Sequence, residues 1–432
     1  MEISELYKIF TGHPAVTTDS RECPEGSIFF ALKGASFNGN AFAKKALEQG
    51  CAYAVVDETD AAEPGDSRYI LVDDCLTALQ QLANYHRRKI GTKIIGVTGT
   101  NGKTTTKELI AAVLNEKYNV LYTQGNFNNH IGVPKTLLRL TPEHEIAVVE
   151  MGANHPGEIK TLVNIVEPDY GLITNVGKAH LAGFGSFEGV IRTKGELYDY
   201  LREHGGTAFI NAGDEHLTGI AHGLKLVKYA VGEAEGAVVT GEVTTCDPYL
   251  NFRWRENGGP WHDVYTHIIG SYNIMNMLAA ACAGLNFGVT SAQIDHALAS
   301  YVPKNNRSEL EVTAYNSLII DAYNANPTSM NAALVNFRDM KADNKMAILG
   351  DMGELGAVSE EEHQKVVDFL KTAGIPEVWL VGKEFGKTGC SFRKFNDVEE
   401  VKREIAAHRP EGHCILIKGS NSMRLFRLPP LL

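Results

Sequence analysis

Short, mainly apolar runs alternate with amphipathic segments along most of the chain. Residues 93–97 and 146–149 have the length and apolar character of buried strands, whereas residues 103–115 show a helical period. The apolar positions of that predicted helix are Leu109, Ile110, Val113 and Leu114. Strands that alternate with helices are typical of a parallel sheet covered by helices on both faces. The pattern therefore predicts an α/β protein.

The chain is predicted to form three domains, because 432 residues exceed the size at which one hydrophobic core stops growing. The predicted limits are 1–88 for a small N-terminal α/β domain, 89–302 for a central domain with a doubly wound parallel sheet, and 303–432 for a C-terminal Rossmann-like domain. Within the central domain, residues 239–266 have the pattern of a hairpin-rich insertion. The joint before the third domain is the Pro- and Asn-rich segment 302–306.

Further strands are predicted wherever a short apolar run is bounded by turn residues. The predicted strands are residues 27–32, 53–56, 69–72, 171–174, 208–210, 318–320, 347–349, 378–381 and 415–417, and the further helices are residues 41–49, 76–88 and 273–285. The C-terminal part has no G-x-G-x-x-G fingerprint, so dinucleotide binding is not expected there.

Composition narrows the class of protein. A hydrophobic fraction of 44% and a charged fraction of 22% are those of a globular protein without a membrane span. The net charge of -11 disfavours nucleic acid as a partner, because phosphates are neutralised by clustered basic residues. The seven cysteines form no C-x-x-C pair and are expected to be reduced. The first ten residues do not have the pattern of a secretion signal, and we expect a cytoplasmic protein.

A glycine-punctuated segment, residues 97–105, lies between a predicted strand and a predicted helix. Backbone N–H groups and the positive end of the helix dipole meet at such a turn and bind phosphate. Lys103 can reach the β- and γ-phosphates, and the Thr104 hydroxyl can bind Mg²⁺. The general phosphate-loop motif has glycine where this chain has Val97, so the segment represents a subtype of that motif. The predicted triphosphate-binding residues are Gly99, Thr100, Asn101, Gly102, Lys103, Thr104 and Thr105.

Other polar residues lie after predicted strands or in glycine-rich loops. Glu150 follows the run 146–149, where it either binds Mg²⁺ beside the phosphate loop or caps the next helix. His180 is either a metal ligand or a hydrogen-bonded loop residue. Lys194 begins an amphipathic segment and, taken alone, is typical of a solvated surface lysine. Residues 123–134 concentrate asparagine and glycine, which suit neutral hydrogen bonding to a substrate or form a turn.

Several motifs together resemble the Mur ligase family over almost the whole chain. T-G-T-N-G-K-T-T is the phosphate loop of that family and is shared with folylpolyglutamate synthases. The motifs that are more discriminating resemble the D-alanyl-D-alanine-adding branch. They are T-Q-G-N-F-N-N-H-I-G-V-P (123–134), E-M-G-A-N-H-P-G-E-I (150–159), A-H-L-A-G-F-G-S (179–186), D-A-Y-N-A-N-P-T-S-M (321–330) and L-G-D-M-G-E-L-G (349–356).

The resemblance implies a role for each matching residue. Lys103 and Thr104 would bind the ATP phosphates and a first Mg²⁺, with Glu150 as a further ligand of that ion. His180 would help to hold a second Mg²⁺. Lys194 would react with CO₂ to form a carbamate, an oxygen donor of the kind that Mg²⁺ prefers.

Contacts to the nucleotide and the substrate are implied in the same way. Asn273 falls where the family reads adenine, and Arg307 and Asp321 fall where the third domain contacts the nucleotide. The residues matched to catalysis are Lys103, His180, Lys194 and Asp321. The residues matched to substrate binding are Ser20, Arg21 and Lys33 in the uridine-diphosphate region, and Asn126, Asn129, Asn324 and Asn326 in the asparagine-rich motifs. Residues 418–424 also match, without an assigned role.

The implied activity is an ATP-dependent ligase that forms a C–N bond through an acyl phosphate. Its partners would be UDP-N-acetylmuramoyl-tripeptide and D-alanyl-D-alanine in peptidoglycan precursor synthesis, with no nucleic acid or membrane partner, and the chain would be a monomer. The alternatives are a diaminopimelate- or lysine-adding Mur ligase, a folylpolyglutamate synthase, or a P-loop regulatory switch. The chain has no N-K-x-D guanine reader, which disfavours a GTPase switch.

Overall fold

The computed structural model describes residues 1–304 and 307–432, which form two compact units. The first unit comprises Met1–Gly96, Tyr118–Gly152 and Glu158–Tyr170, and the second comprises Val97–Lys117, Ala153–Gly157 and Gly171–Leu432. Asn305 and Asn306, which belong to the predicted joint, lie outside the described residues. The domain limits at residues 88 and 302 stay predictions.

The N-terminal part of the first unit contains a small parallel sheet. Its elements are α1 (Ile3–Gly12), β1 (Val16–Thr17), β2 (Ile28–Phe30), β3 (Lys33–Gly34), β4 (Phe37–Asn38), α2 (Ala43–Glu48), β5 (Tyr53–Val56), β6 (Tyr69–Leu71) and α3 (Cys75–Ile90). The strand order is β1-β2-β5-β6, and β3 and β4 form a separate antiparallel pair. The Asp74 side chain caps α3 by accepting the Thr77 N–H, and the helix ends at Gly91 with φ 76°.

The middle of the chain alternates strands and helices and contributes to both units. Its elements are β7 (Lys93–Thr98), α4 (Lys103–Asn115), β8 (Val120–Tyr122), α5 (Gly132–Leu137), β9 (Ile146–Glu150), α6 (Glu158–Val166), β10 (Tyr170–Ile173), α7 (Leu181–Phe184), α8 (Phe187–His204), β11 (Thr207–Asn211), α9 (Glu215–Ile220), β12 (Lys225–Val231), β13 (Ala237–Cys246), β14 (Tyr249–Glu256), β15 (His262–Ile269), α10 (Ile274–Asn286) and α11 (Ser291–Ser300). In the first unit, β8 pairs with β9 in parallel.

The prediction of a hairpin-rich insertion over residues 239–266 is wrong in one respect. Strands β13, β14 and β15 are antiparallel neighbours, as a hairpin pattern requires. However, β13 also pairs in parallel with β12, which pairs in parallel with β11, so these strands extend the sheet of the second unit. The central sheet is therefore mixed and not wholly parallel.

The C-terminal part of the second unit is a sheet with helices on both faces. Its elements are β16 (Glu309–Val312), β17 (Ser317–Asp321), α12 (Pro327–Asp339), β18 (Lys345–Gly350), α13 (Ser359–Leu370), β19 (Glu377–Val381), α14 (Lys383–Lys387), β20 (Arg393–Phe395), α15 (Val398–Ala407) and β21 (Cys414–Lys418). The strand order is β16-β17-β21-β18-β19-β20, and only β16 is antiparallel to its neighbour. One apolar cluster includes α12 and α13 and the other includes α15. The predicted α/β class and Rossmann-like C-terminal part are confirmed.

Two further expectations concern side chains and membranes. All seven cysteines are free thiols. Among the described residues, no helix has the length and apolar character needed to cross a membrane.

Candidate active site

The loop between β7 and α4 needs glycine at two positions. Gly99 has φ 140° and Gly102 has φ 77°, which are strained for any residue with a Cβ. A Cβ at Gly99 would lie 2.0 Å from the Thr174 Oγ1 atom, and one at Gly102 would lie 2.8 Å from the Asn276 Oδ1 atom. Because α4 begins at Lys103, its N-terminal amides lie in this loop, as predicted for a phosphate site.

Hydrogen bonds preform this loop. Lys103 Nζ donates to the carbonyls of Gly99 (2.9 Å) and Thr100 (3.0 Å), so the lysine closes the loop on itself. The Asn101 N–H donates to Asn175 Oδ1 at 3.0 Å, and the Thr174 hydroxyl donates to the Asn101 carbonyl at 2.6 Å. Sequence reasoning missed Thr174 and Asn175, although they directly follow the apolar strand β10.

The remaining loop residues and one asparagine of the third predicted domain lie around the same turn. Thr104 is buried, and Thr105 is half-buried. Asn326 Nδ2 donates to Asn101 Oδ1 at 2.7 Å, while Asn326 Oδ1 caps α12 by accepting the Ser329 N–H. The start of α12 is therefore hydrogen-bonded to the phosphate loop.

Glu150 is a buried carboxylate at the end of β9 in the first unit. Its side chain is almost fully buried, and its backbone N–H donates to Thr123 Oγ1 at 3.0 Å. Asn128 Nδ2 donates to Glu150 Oε1 at 2.8 Å and so fixes the carboxylate. Asn128 lies in the asparagine-rich motif but was not singled out in the sequence, which gave no sign of which asparagine faces Glu150.

His180 and Lys194 lie against the same aromatic ring in the second unit. The Phe184 ring centroid is 6.2 Å from the His180 ring and 5.3 Å from Lys194 Nζ. His180 adopts φ 51°, an unusual conformation for a histidine, and its Nδ1 contacts the Glu354 carboxylate. Burial lowers the pKa of His180, and this effect outweighs the opposing influence of Glu354. Glu354 was not identified in the sequence.

Lys194 is not a surface residue. Only 2% of Lys194 is exposed, and its Nζ donates to the Ala153 carbonyl at 3.1 Å. The interpretation of Lys194 as a solvated surface lysine is therefore wrong. The residue lies on α8, whose helical spacing alone does not reveal which face is covered.

The residues matched to adenine and to the third domain are held by internal bonds. Asn273 is buried; its Nδ2 donates to the Ile269 carbonyl at 2.8 Å, and its Oδ1 accepts a hydrogen bond from Asn276. Asp321 pairs with the buried Lys418, whose Nζ lies 2.5 Å from Asp321 Oδ2. Residue 418 belongs to the C-terminal motif that had no assigned role. The Arg307 guanidinium carbon lies 3.8 Å from the centroid of the Tyr323 ring.

The N-terminal candidates lie in the first unit at its surface. Arg21 is 83% exposed and pairs with Asp19 at 2.6 Å, and this pairing lowers the pKa of Asp19. Lys33 Nζ lies 2.9 Å from the Asp57 carboxylate, a contact that raises the pKa of Lys33. Ser20 is half-buried. A role of these residues in substrate binding stays a prediction.

The remaining asparagine candidates differ in their surroundings. Asn126 is exposed, and its carbonyl accepts the Asn128 N–H at 2.7 Å. Asn129 Oδ1 accepts the Gly132 N–H at 2.9 Å and so supports the start of α5. Asn324 is exposed and accepts the N–H of the next residue. Across residues 1–304 and 307–432, no three His, Cys, Asp or Glu side chains form a cluster that could hold a metal by themselves.

Comparison with known proteins agrees with this architecture. The Mur ligase family catalytic domain model matches residues 14–87, the Mur ligase middle domain model matches residues 97–284, and the Mur ligase glutamate ligase domain model matches residues 306–421. The three matches follow one another along the chain in the order of the three predicted domains.

Individual relatives cover nearly the whole chain. The UDP-N-acetylmuramoyl-tripeptide--D-alanyl-D-alanine ligase of Bacillus subtilis is 36% identical over 95% of this chain and 91% of its own length. A crystal structure of MurF from Acinetobacter baumannii is 32% identical, with a TM-score of 0.86, over 96% of this chain and 92% of that one. The MurF ligase of Thermotoga maritima in complex with ADP is 26% identical, with a TM-score of 0.84, over 96% of both chains. The chain therefore belongs to the Mur ligase family.

Proposed function

We propose that this protein is an ATP-dependent ligase that joins D-alanyl-D-alanine to UDP-N-acetylmuramoyl-tripeptide. The observation that carries the proposal is the preformed loop at the start of α4, which Lys103 closes and to which Asn326 is hydrogen-bonded. Relatives named for this reaction, aligned over almost the whole chain, support the same conclusion.

The reaction proceeds in two steps. The terminal carboxylate of the tripeptide attacks the γ-phosphorus of ATP, and the bond from that phosphorus to the β,γ-bridging oxygen breaks to give an acyl phosphate and ADP. The amine of D-alanyl-D-alanine then attacks the acyl carbon. The tetrahedral intermediate expels inorganic phosphate, and the nitrogen loses a proton, which leaves the amide.

The phosphate loop supports the first step by positioning and charge. Lys103 and the amides at the start of α4 face the triphosphate, and they stabilise negative charge as it develops on the transferred group. The hydrogen bonds of Asn101 with Asn175 and Thr174 already shape the loop backbone, so mainly the Lys103 side chain rearranges on binding. Lys103 exchanges its two carbonyl contacts for phosphate oxygens when the nucleotide enters.

The donor set suits magnesium. We assign Thr104, Glu150, His180 and Lys194 as a carbamate to Mg²⁺ binding, each by its match to the family motifs. Bound Mg²⁺ would neutralise the charge of the transferring phosphoryl group. Because Glu354 contacts His180 Nδ1, Nε2 is the nitrogen that remains for a metal.

Carbamate formation changes the chemistry of Lys194. The Lys194 ammonium group first loses a proton. The neutral nitrogen then attacks CO₂, so that a C–N bond forms while one C–O π bond opens to an oxyanion, and the nitrogen loses a second proton to solvent. The burial of Lys194 beside the Ala153 carbonyl and its position against the same ring as His180 support a role inside the site.

Contacts from the C-terminal part support closure over the nucleotide. Asn326 reaches the phosphate loop, and Glu354 reaches His180. We assign Asn273, Arg307 and Asp321 to the nucleotide. Exclusion of water protects the acyl phosphate from hydrolysis until the amine attacks.

The remaining assignments concern the substrates and the setting. Ser20, Arg21 and Lys33 are assigned to the uridine diphosphate moiety. The asparagines assigned to the substrate are Asn126, Asn129, Asn324 and Asn326. The protein acts in the cytoplasm and is a monomer. Light scattering after size-exclusion chromatography would measure its oligomeric state.

The test is a coupled assay with the purified protein. Phosphate release from ATP should require both UDP-N-acetylmuramoyl-tripeptide and D-alanyl-D-alanine, and mass spectrometry should detect the pentapeptide product. Product formation from the dipeptide precursor with diaminopimelate or lysine would instead identify a different Mur ligase. Nucleotide binding without any ligation product would favour the regulatory switch.

A further inference from the structure

We propose that Tyr323 is a positioning residue that holds the guanidinium of Arg307 for contact with the nucleotide phosphates. The inference rests on the proposed function, because that function assigns Arg307 to the nucleotide. It goes further in giving Tyr323 a role that acts through Arg307.

The first observation is the stacking itself. The Arg307 guanidinium carbon lies 3.8 Å from the Tyr323 ring centroid, so the cation lies against the face of the ring. A guanidinium is planar and its N–H donors lie in its plane. Stacking therefore uses the face of the group and keeps its donor-bearing edge for hydrogen bonds to an anion.

The second observation is an unsatisfied donor. Arg307 Nε is buried and has no hydrogen-bond partner among the described residues. Buried N–H groups are nearly always paired, and an exception calls for an explanation. A phosphate oxygen of a bound nucleotide would supply the missing acceptor and match the charge.

Both partners of the stack are anchored by their neighbours. On one side, Ser308 adopts φ 48°, and its hydroxyl lies 3.2 Å from the Tyr272 hydroxyl, which fixes the chain beside Arg307. On the other side, Lys418 Nζ contacts both Asp321 Oδ2 (2.5 Å) and the Asn324 carbonyl (3.3 Å). These two contacts bracket residue 323 and so hold the chain on both sides of it.

The physical role follows from side-chain entropy. A free arginine has many rotamers, and immobilising it when a ligand binds opposes binding. A ring that already holds the guanidinium removes part of that cost before the nucleotide arrives. The ring face is what matters, so the phenol hydroxyl should be dispensable.

The chain offers a matched control. The Arg409 guanidinium stacks on Tyr315 at 3.9 Å, nearly the same distance, and neither residue is assigned to the site. Replacing Tyr315 removes an arginine stack of the same kind at a position that is not assigned to the nucleotide.

The experiment compares Tyr323→Leu, Tyr323→Phe and Tyr315→Leu in the full-length protein. We expect Tyr323→Leu to raise the KM for ATP and the Kd for a non-hydrolysable ATP analogue roughly 3- to 30-fold, the range of a cation–π contact. The KM values for the other two substrates should not change. Tyr323→Phe and Tyr315→Leu should stay within about twofold of the wild type. In an Arg307→Lys background, Tyr323→Leu should have a much smaller effect, because lysine has no planar group to stack.

Several outcomes would overturn the proposal. Wild-type nucleotide affinity in Tyr323→Leu would show that the stack does not position Arg307. If Tyr323→Phe weakens nucleotide binding as much as Tyr323→Leu does, the effect belongs to the hydroxyl and not to the ring face. If Tyr323→Leu weakens binding as much in the Arg307→Lys background as in the wild type, Tyr323 does not act through Arg307. If the wild type binds the analogue but forms no ligation product, the proposed function fails, while the comparison of Kd values for the analogue still tests Tyr323.

Discussion

Replacing Gly99 with alanine tests whether the phosphate loop depends on its close approach to Thr174. The new Cβ would lie 2.0 Å from Thr174 Oγ1 and 2.9 Å from the Thr174 backbone nitrogen. Neither atom can stay where it is, since real Cβ contacts are never this short. The Thr174 hydroxyl would also lose its 2.6 Å hydrogen bond to the Asn101 carbonyl.

The magnitude follows from two contributions. A residue with a Cβ at φ 140° costs about 1–3 kcal/mol in backbone strain, and the lost hydrogen bond adds about 1 kcal/mol. A total of about 2–4 kcal/mol corresponds to a roughly 30- to 700-fold loss of affinity for ATP if the loop must return to its shape to bind. Calorimetric titration with a non-hydrolysable ATP analogue and Mg²⁺ measures this loss.

The control is Gly65→Ala in the first unit. Gly65 has φ 82°, and a Cβ there would meet no atom within 4 Å, so this variant carries backbone strain without a clash. Its nucleotide affinity should equal that of the wild type. Adding Thr174→Ala to Gly99→Ala should recover only part of the affinity, because the backbone nitrogen remains in the way. Wild-type affinity in Gly99→Ala would show that nucleotide binding does not depend on the close approach of residue 99 to Thr174.

Four further predictions address other residues. In steady-state assays, Lys103→Ala should lower kcat/KM by roughly two orders of magnitude or more, because stabilisation of the phosphate charge is lost. Lys194→Ala should lower activity nearly as much, and added short carboxylates should partly restore it. Near-normal activity of Lys194→Ala would contradict the carbamate. Asn326→Ser keeps a helix cap but is too short to reach Asn101, so calorimetry should show weaker nucleotide binding with the unfolding midpoint changed by only a few degrees. Burial lowers the pKa of His86 in the folded protein. As the pH falls below about 6.5, His86 therefore takes up a proton in the unfolded state before it does so in the folded state. The free energy of unfolding consequently decreases toward acid pH. The fall in the free energy of unfolding between pH 7.5 and 5.5, measured with urea, should be smaller in His86→Asn, and an equal fall in both proteins would exclude His86 as the cause.

Local sequence patterns were enough to predict several elements and the position of the phosphate loop. Helix α4 has the predicted bounds, and β5 coincides with the predicted residues 53–56, because periodicity and bounding turn residues are local properties. Gly99 and Gly102 were also placed in the phosphate loop, since the loop motif itself contains them. Residue 150 was expected at the end of its strand and lies there.

Only the folded chain shows which residues meet across long sequence separations. The contact of His180 with Glu354, the stack of Arg307 on Tyr323 and the burial of Lys194 join segments whose own patterns do not reveal their partners. Strands β13, β14 and β15 are a second example. Their sequence pattern predicts antiparallel pairs, but it does not reveal that β13 also pairs with β12 and so extends the sheet. Such pairings depend on the free energy of closing long loops and burying whole faces, which no short window of sequence contains.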